Sequence, residues 1–314
     1  MTQTASGLWD ETLDADRFVP DPEADGLLVG GVDLHTHPGP SPFPRRMSIL
    51  DAATDAATVG FRAIVCKSHH HSMQTDILAL EPAGLAETGV QVFGGIALNR
   101  TVGGLNPYAV ELALRMGGRV VWFPTISSTA HLEFHRHHNH SGFPVSGIPL
   151  RDNEPISVVG DDGRLVPEAQ DILSVIAGES AILNCGHLPA DEIDVLVPAA
   201  VAAGVERIVV SHPDFIVGAA PERVGEWCRR GAAVEHCLAM VARPADGSPV
   251  EKIAGFLREA GVGHTLFSSD LGQKNNPLPV TAYRRMVRSL LDAGTATDDI
   301  RAMVGGNAAQ LLFP

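Results

Sequence analysis

Short, almost uninterrupted apolar runs alternate along the chain with longer stretches whose apolar residues recur at helical spacing. The runs are LLVGGVDLHTH, FRAIVCKSHH, VQVFGGIALN, GRVVWFPT, SAILNCGHL, VERIVVSHPD, GAAVEHC and GHTLFSSDLG. Continuous apolarity, without in–out alternation, predicts strands covered on both faces in a parallel sheet. Between them lie SILDAATDAATVG, TDILALEPAGLAETG, PYAVELALRMGG, PEAQDILSVIAG, ADEIDVLVPAAVAAG, PERVGEWCRRG, VEKIAGFLREAG and VTAYRRMVRSLLDAG. Several open on Pro or an acidic turn and close on Gly, as helices do. Pro198 falls inside the fifth and is expected to kink it. Eight strand–helix repeats predict an α/β protein of the (β/α)8 TIM-barrel class. An open doubly wound sheet, the alternative, has no reason to stop at eight.

The run ends fall near residues 37, 67, 99, 125, 187, 212, 236 and 270. Most spacings are roughly 25–34 residues, one βαβ repeat. The one after residue 125 is about double, so an insertion of about 30 residues follows the fourth strand. It covers about 127–166 and holds HLEFHRHHNHSGFP, then ISVVGDDGRLV, a hairpin expected around Asp162–Gly163. Five of the fourteen histidines lie there: His131, His135, His137, His138 and His140. Two outcomes are open for it, a solvated polar loop or a lid over the strand ends. Residues 1–27 read as an N-terminal extension, 28–314 as a single barrel domain, with a tail helix from about Asp298.

In such barrels the chemistry sits where strands stop. His35 and His37 end the first run; Lys67 and then Ser68, His69, His70 and His71 end the second. Asn99 ends the third, Thr125 the fourth with His131 soon after, His187 the fifth and His212 the sixth. Glu235 and His236 end the seventh, Asp270 the eighth. Side chains two apart on a strand share a face, so His35 and His37 can chelate one ion. His187, His212 and Asp270 reach the same spot once first and last strands meet. Singly, each could be a hydrogen-bonded core histidine or, for Asp270, a helix cap. Their coincidence at four run ends points to a metal. His70, Asn99 and His131 are expected to face the mouth and orient substrate, or to be rim residues.

Composition narrows the partners. A net charge of −14 repels phosphate backbones and anionic lipid, so nucleic acid and membrane surfaces are excluded and a small-molecule substrate is expected. Self-association into a homo-oligomer stays open. No run reaches the length of a membrane span, and MTQTASGLWDETLDADRF has neither basic start nor apolar stretch, so a cytoplasmic location is expected. Cys66, Cys185, Cys228 and Cys237 form no CxxC and read as reduced core thiols. No GxGxxG after a strand, GxxxxGK[ST] or GxSxG occurs.

DLHTHPGP, NCGHL, VVSHPD and FSSDLG resemble the metal-ligand strand ends of the amidohydrolase superfamily, and GGNAAQLL resembles the helix that closes many members. The resemblance spans about residues 30–314. It implies a distorted barrel binding one or two divalent metals and hydrolysing amide, lactam, ester or phosphoester bonds. A minority of members decarboxylate or isomerise. The segment LNRTVGGLNPYAVE marks a branch for which the resemblance supplies no substrate. The chain departs from the two-metal pattern at strand four, WFPTISS, which has no bridging lysine or glutamate. Lys67 is the nearest substitute: carbamylated and bridging, cationic and holding a substrate carboxylate, or merely snorkelling at the rim. Glu235 is a second candidate bridge, or a rim carboxylate paired with an arginine.

The expected function is metal-activated hydrolysis of an amide, lactam, lactone or ester. Zinc is favoured by imidazole ligation, with manganese, iron and nickel open. Asp270 would be both ligand and general base. The alternatives are a decarboxylase or other lyase on the same frame, a phosphoesterase, or a non-catalytic metal-binding subunit.

Overall fold

The computed structural model describes residues 21–137, 145–242 and 248–313. Most of the expected N-terminal extension, together with His138 and His140, lies outside the described residues. In chain order the elements are α1 Pro22–Leu28, β1 Val32–Thr36, α2 Ile49–Ala57, β2 Ala63–Cys66, α3 Gln74–Leu80, β3 Gln91–Phe93, β4 Gly95–Ala97, α4 Pro107–Arg115, β5 Val120–Trp122, α5 Thr129–His137 and α6 Pro167–Gly178. They continue as β6 Ile182–Asn184, α7 Ala190–Ala202, β7 Ile208–Ser211, α8 Pro221–Arg229, β8 Ala232–Cys237, α9 Leu238–Val241, α10 Pro249–Ala260, β9 Thr265–Ser268, α11 Pro279–Asp292, α12 Thr297–Arg301 and α13 Asn307–Leu312. Each of the eight apolar runs contains a strand, and each of the eight amphipathic stretches a helix. α7 runs through Pro198.

The strands form two parallel sheets, β1-β2-β3 and β4-β5-β6-β7-β8-β9. The third apolar run supplies a strand to each, β3 and β4 being separated only by Gly94. At the far edges, Thr36 bridges Leu271 in parallel, Asp270 N donates to His35 O at 2.7 Å, and His37 N donates to Leu271 O at 2.7 Å. One apolar cluster draws on every strand of both sheets: Val32 and Leu34, Ala63 and Val65, Phe93, Ala97, Val120 and Trp122, Ile182, Val209, Ala233, and Leu266, with Ala308 and Leu312 of α13 packed against them. Helices cover the other faces in two larger apolar clusters. Burial at roughly 25 cal/mol per Å² of apolar surface is what holds the strand ends in register.

Asp21 caps α1 by accepting from Ala24 N at 3.1 Å, and Arg284 of α11 grips Asp25 at 2.6 Å, so residues just inside the expected extension fold as a helix docked on α11. Of the two outcomes left open for the insertion, its first part is not a solvated loop but a helix. Ser128 Oγ accepts from His131 N at 3.1 Å and starts α5, which buries His131 and His135 and rests Phe134 on Phe215. Polar composition concealed a helix whose apolar contacts come from aromatic rings. The hairpin is present: Val159 bridges Leu165 antiparallel and Gly160 N donates to Arg164 O. The four cysteines are free and buried. Among the described residues no helix is long and apolar enough to cross a membrane.

Candidate metal centre

Period-two alternation carries the apolar cluster of the strands outward into a polar floor. Lys67 continues Ala63 and Val65; Glu235 and Cys237 continue Ala233; Asp270 continues Leu266 and Ser268. On β1 the same alternation from Val32 and Leu34 would turn Thr36 to this face. Instead the register slips: Asp33 pairs with Ile64, but Thr36 pairs with Cys66. This bulge adds one residue and swings His35 and His37 to the side already occupied by Leu34. Asp33 accepts from His35 N at 3.1 Å and from Ser269 N at 3.0 Å, tying the bulge to the exit of β9.

Three donor atoms converge there. His35 Nε2 and His37 Nε2 are 3.3 Å apart, and Asp270 Oδ1 lies 3.3 Å from the first and 3.0 Å from the second. Each ring is oriented from behind. His37 Nδ1 faces the carbonyl oxygen of Lys67 at 2.9 Å, and His35 Nδ1 faces Glu235 Oε2 at 3.2 Å. Both partners accept, so both Nδ1 atoms carry the proton and both Nε2 atoms point lone pairs inward. Lys67 Nζ approaches His35 Nε2 at 3.0 Å, above the Trp122 ring. Cys237 Sγ sits 3.8 Å from His35 Nδ1; one ligand atom each of His35, Cys237 and Asp270 lies within 4.8 Å of the others.

The protonation states fit a cation. Burial pushes the His37 imidazole down to about 3, although Asp270 opposes it, and burial likewise lowers His69, His187 and His212. Burial alone would raise the carboxyls. Together, the attraction of His35 and the hydrogen bonds from His37 for Asp270, and from His35 and Ser211 for Glu235, outweigh it; both carboxyls are lowered, Glu235 to about 2. Burial lowers Lys67, against the attraction of Asp270 and Glu235. Neutral imidazoles and ionised carboxylates are the forms that ligate. Ligand atoms about 2.0–2.1 Å from a zinc-like ion stand roughly 2.9–3.4 Å apart, the separations of the triangle. Cys237 is a poorer donor, because burial keeps its thiol protonated.

A wider circuit of imidazoles surrounds this floor. Ring centroids run from His35 to His37 at 5.1 Å, to His69 at 4.8 Å, to His187 at 6.3 Å, to His212 at 4.8 Å and back to His35 at 6.5 Å. His187 and His212 thus line the same mouth as the triangle. His187 Nδ1 is turned to His131 Nδ1 at 3.0 Å, with the two rings stacked. His212 Nδ1 and Glu235 Oε1 are buried without hydrogen-bond partners. His212 and Asp270 both have positive φ, 30° and 52°, a conformation that non-glycine residues hold only when their surroundings impose it. At the exit of β9, Gly272 has φ +134°, and a Cβ there would lie 2.0 Å from His37 O. Only glycine lets the two strand ends close this tightly.

The expected substrate residues separate. His131 is buried against the circuit, stacked on His187. His70 stands beside it, half-buried, edge-on to Phe43 at 4.8 Å. Asn99 is fully committed: Oδ1 accepts from Thr125 N and Ser127 N, and Nδ2 donates to His69 O and Thr125 Oγ1. It ties two strand ends together, which favours the rim residue of the two readings. Glu235 pairs with His35 and Ser211 rather than with an arginine at the rim. His69, which sequence reasoning passed over for His70, shares a strand face with Lys67 by the same rule that pairs His35 with His37.

Residues 30–235 match a family model described as "Family of unknown function (DUF6282)". No curated protein matches the sequence significantly. Solved structures match along nearly the whole chain. A crystal structure of an amidohydrolase from Pseudomonas aeruginosa has a TM-score of 0.63 at 12% identity, covering 93% of this chain and 98% of that one. The probable dipeptidase PvdM from the same organism gives 0.61 at 12% identity, covering 92% and 96%. A putative 2-pyrone-4,6-dicarboxylic acid hydrolase from Pseudomonas putida gives 0.53 at 16% identity, covering 90% and 97%. At these identities the likeness is one of fold, and the fold is that of amidohydrolase-type proteins.

Proposed function

The chain belongs to the DUF6282 family, and from that premise we propose that it is a metal-dependent hydrolase opening an amide, lactam, lactone or ester bond of a small molecule. The observation that carries this is the triangle of His35 Nε2, His37 Nε2 and Asp270 Oδ1, with lone pairs turned inward by fixed partners. The fold likeness to proteins titled amidohydrolase, dipeptidase and pyrone-dicarboxylate hydrolase supports it. We take the two sheets as one closed (β/α)8 barrel. The hydrogen bonds between β1 and the exit of β9, and the apolar cluster shared by every strand, support closure.

His35, His37 and Asp270 would hold a divalent cation, zinc by donor type, with His212 and His187 the candidates across the circuit. When bound, the cation polarises the scissile carbonyl and lowers the pKa of water toward about 7. Asp270 takes the proton of the attacking water and returns it to the departing nitrogen or oxygen. Glu235 keeps the His35 ring oriented. Lys67 Nζ stands against His35 Nε2, and Thr125 rather than a carboxylate stands at the end of β5, so a single cation is favoured. The buried Lys67 side chain also favours a second reading, a metal-dependent decarboxylase in which Nζ holds a substrate carboxylate during carbon dioxide loss.

The test is metal content together with Asp270→Asn. Wild type purified without added ions should carry about one transition ion per chain. It should incorporate labelled oxygen from water when turning over a panel of N-acyl amino acids, lactams and lactones. Asp270→Asn should keep most of the ion and lose about 100-fold or more in turnover. Full turnover in that variant, or a wild type that accepts no ion, overturns the proposal. Carbon dioxide release without oxygen incorporation selects the second reading.

A further inference from the structure

The loop between β1 and α2 carries a cation that nothing in the protein neutralises directly. Arg45 Nε and Nη2 are buried and have no hydrogen-bond partner. They form one edge of the guanidinium, two parallel N–H donors. The backbone of Arg45 is fixed beside the metal centre: it bridges Gln273, three residues past Asp270, and Arg46 N donates to Gly272 O at 2.9 Å. Its guanidinium carbon lies 5.8 Å from the centroid of Phe43, which His70 also meets, at 4.8 Å between ring centroids. His70 Nδ1 is itself buried and without a hydrogen-bond partner. Arg45 also lines a cleft of about 500 Å³ with Gly39, Pro40, Met47 and Leu80.

A buried guanidinium edge without an acceptor is costly, and proteins keep such features where a ligand completes them. Burial pushes Arg45 down to about 10 while Asp270 opposes it, so the group stays charged at neutral pH. Arg46, next in the chain, lines the same cleft but is engaged, donating through Nη1 to Asn276 O. Lys67 is engaged with His35. One planar fork, with Arg46 and Lys67 each engaged elsewhere, matches a monoanion with two coplanar oxygens rather than a doubly charged phosphate.

We propose that Arg45 binds a carboxylate of the substrate through Nε and Nη2, with His70 as a neighbouring hydrogen-bond partner, so that the substrates are small carboxylates carrying the scissile bond. This rests on the hydrolase reading only for the bond that is cleaved. The carboxylate subsite itself is a property of the β1–α2 loop.

The test is isothermal titration of benzoate and N-acetylglycine against benzamide and N-acetylglycinamide, with inorganic phosphate as a further arm. Wild type, Arg45→Met and Arg45→Lys are each measured zinc-loaded and metal-stripped. Wild type should bind each acid roughly tenfold or more tighter than its amide in both states, as expected for charge-assisted bonds. Arg45→Met should erase the preference, and Arg45→Lys should lose most of it, because an ammonium does not reproduce the fork. Free Arg45→Met should melt at or above wild type, since it sheds an unpaired buried charge, and the acids should raise the melting temperature of wild type alone. The proposal is overturned by equal binding of acid and amide, by no acid binding at all, by a preference that survives Arg45→Met, or by tighter binding of phosphate than of either acid. A lower melting temperature in free Arg45→Met, restored in Arg45→Lys, would make the residue structural and equally overturn it. If wild type takes up no cation yet shows the Arg45-dependent preference, the hydrolase reading fails and the subsite stands. Cation uptake without the preference fails the subsite alone.

Discussion

His37 Nδ1 lies 2.9 Å from the main-chain oxygen of Lys67, so the backbone of the second strand decides which nitrogen the first strand offers to the site. A carbonyl only accepts, so the Nδ1 proton is fixed there and Nε2 keeps its lone pair toward Asp270. The Lys67 side chain is not part of this device and stands against His35 Nε2 instead. His37→Ala should therefore weaken zinc binding by about 100-fold or more, read by competition with a chromophoric chelator. Lys67→Met should bind zinc at least as tightly as wild type, because the Nζ that competes for His35 Nε2 is gone. A Lys67→Met protein that binds no zinc would instead make Lys67 a ligand in its own right.

Glu235 acts on the site through His35. Its Oε2 meets His35 Nδ1 at 3.2 Å and is also held by Ser211, and the residue is wholly buried. An ionised carboxylate behind an imidazole raises its basicity and fixes its orientation. Glu235→Gln keeps the shape and removes the charge, so zinc affinity should fall by about tenfold. Glu235→Ala should fall by closer to 100-fold. Both should leave the far-ultraviolet circular dichroism unchanged.

The eight repeats were legible because period and apolarity are local properties. The cluster of histidines and Asp270 at the strand ends was legible because such residues stand out at the ends of apolar runs. What stayed hidden depended on single-residue register. The β1 bulge is invisible in GGVDLHTH, yet it is what allows Leu34 to join the apolar cluster while His35 and His37 face the floor. At β2 the alternation from Lys67 selects His69, but three successive histidines blur the choice. Asn99 sits where a substrate residue would, and only the coordinates show all of its hydrogen-bonding capacity spent on Thr125, Ser127 and His69. Arg45 lies in a Pro-rich loop with no periodicity, so nothing local marks its guanidinium edge as buried without a partner.

Asn99→Ala separates a strut from a substrate contact. It would leave Thr125 N and Ser127 N without their acceptor and free the His69 loop. Each buried unsatisfied group costs about 1–3 kcal/mol, so a loss of roughly 2–4 kcal/mol in unfolding free energy is expected, read from urea midpoints. A variant with wild-type stability and only a raised KM would restore Asn99 to substrate binding.

Gly272→Ala tests the tight closure between the ends of β1 and β9. The added Cβ would sit 2.0 Å from His37 O, at a φ of +134° that alanine does not readily adopt. Strain and overlap together should cost about 2 kcal/mol or more, lowering the melting temperature by several degrees in a chain of this size. Because the displaced atom belongs to His37, zinc affinity should fall in the same variant. By contrast Gly163, with open space around its Cβ position, should show no effect on zinc when changed to Ala, despite its positive φ.

Acid should destabilise the metal-free protein well before ordinary carboxylates titrate. Burial pushes His37 down to about 3 and His236 to about 4, and lowers His69, His187 and His212 as well. In the unfolded chain these imidazoles titrate near 6.5. Between about pH 6.5 and 4 the unfolded state therefore binds more protons than the fold, and stability rises with pH across that window. Each such histidine contributes up to about 1.4 kcal/mol per pH unit there. Asp33 works the other way, since burial raises it to about 6 despite its bonds to Ser269 and His35, and Glu192 is raised too. The histidines outnumber them, so the net slope stays positive. Below pH 4.5 the ionised Glu235 and Asp270 add to the loss as they are forced to protonate. The urea midpoint of the stripped protein should fall steadily from pH 7 to 5. Bound zinc should raise the midpoint most at the upper end of that range, where protons compete least for the imidazoles. A midpoint flat between pH 7 and 5 would mean that these histidines are charged, or solvated, in the fold.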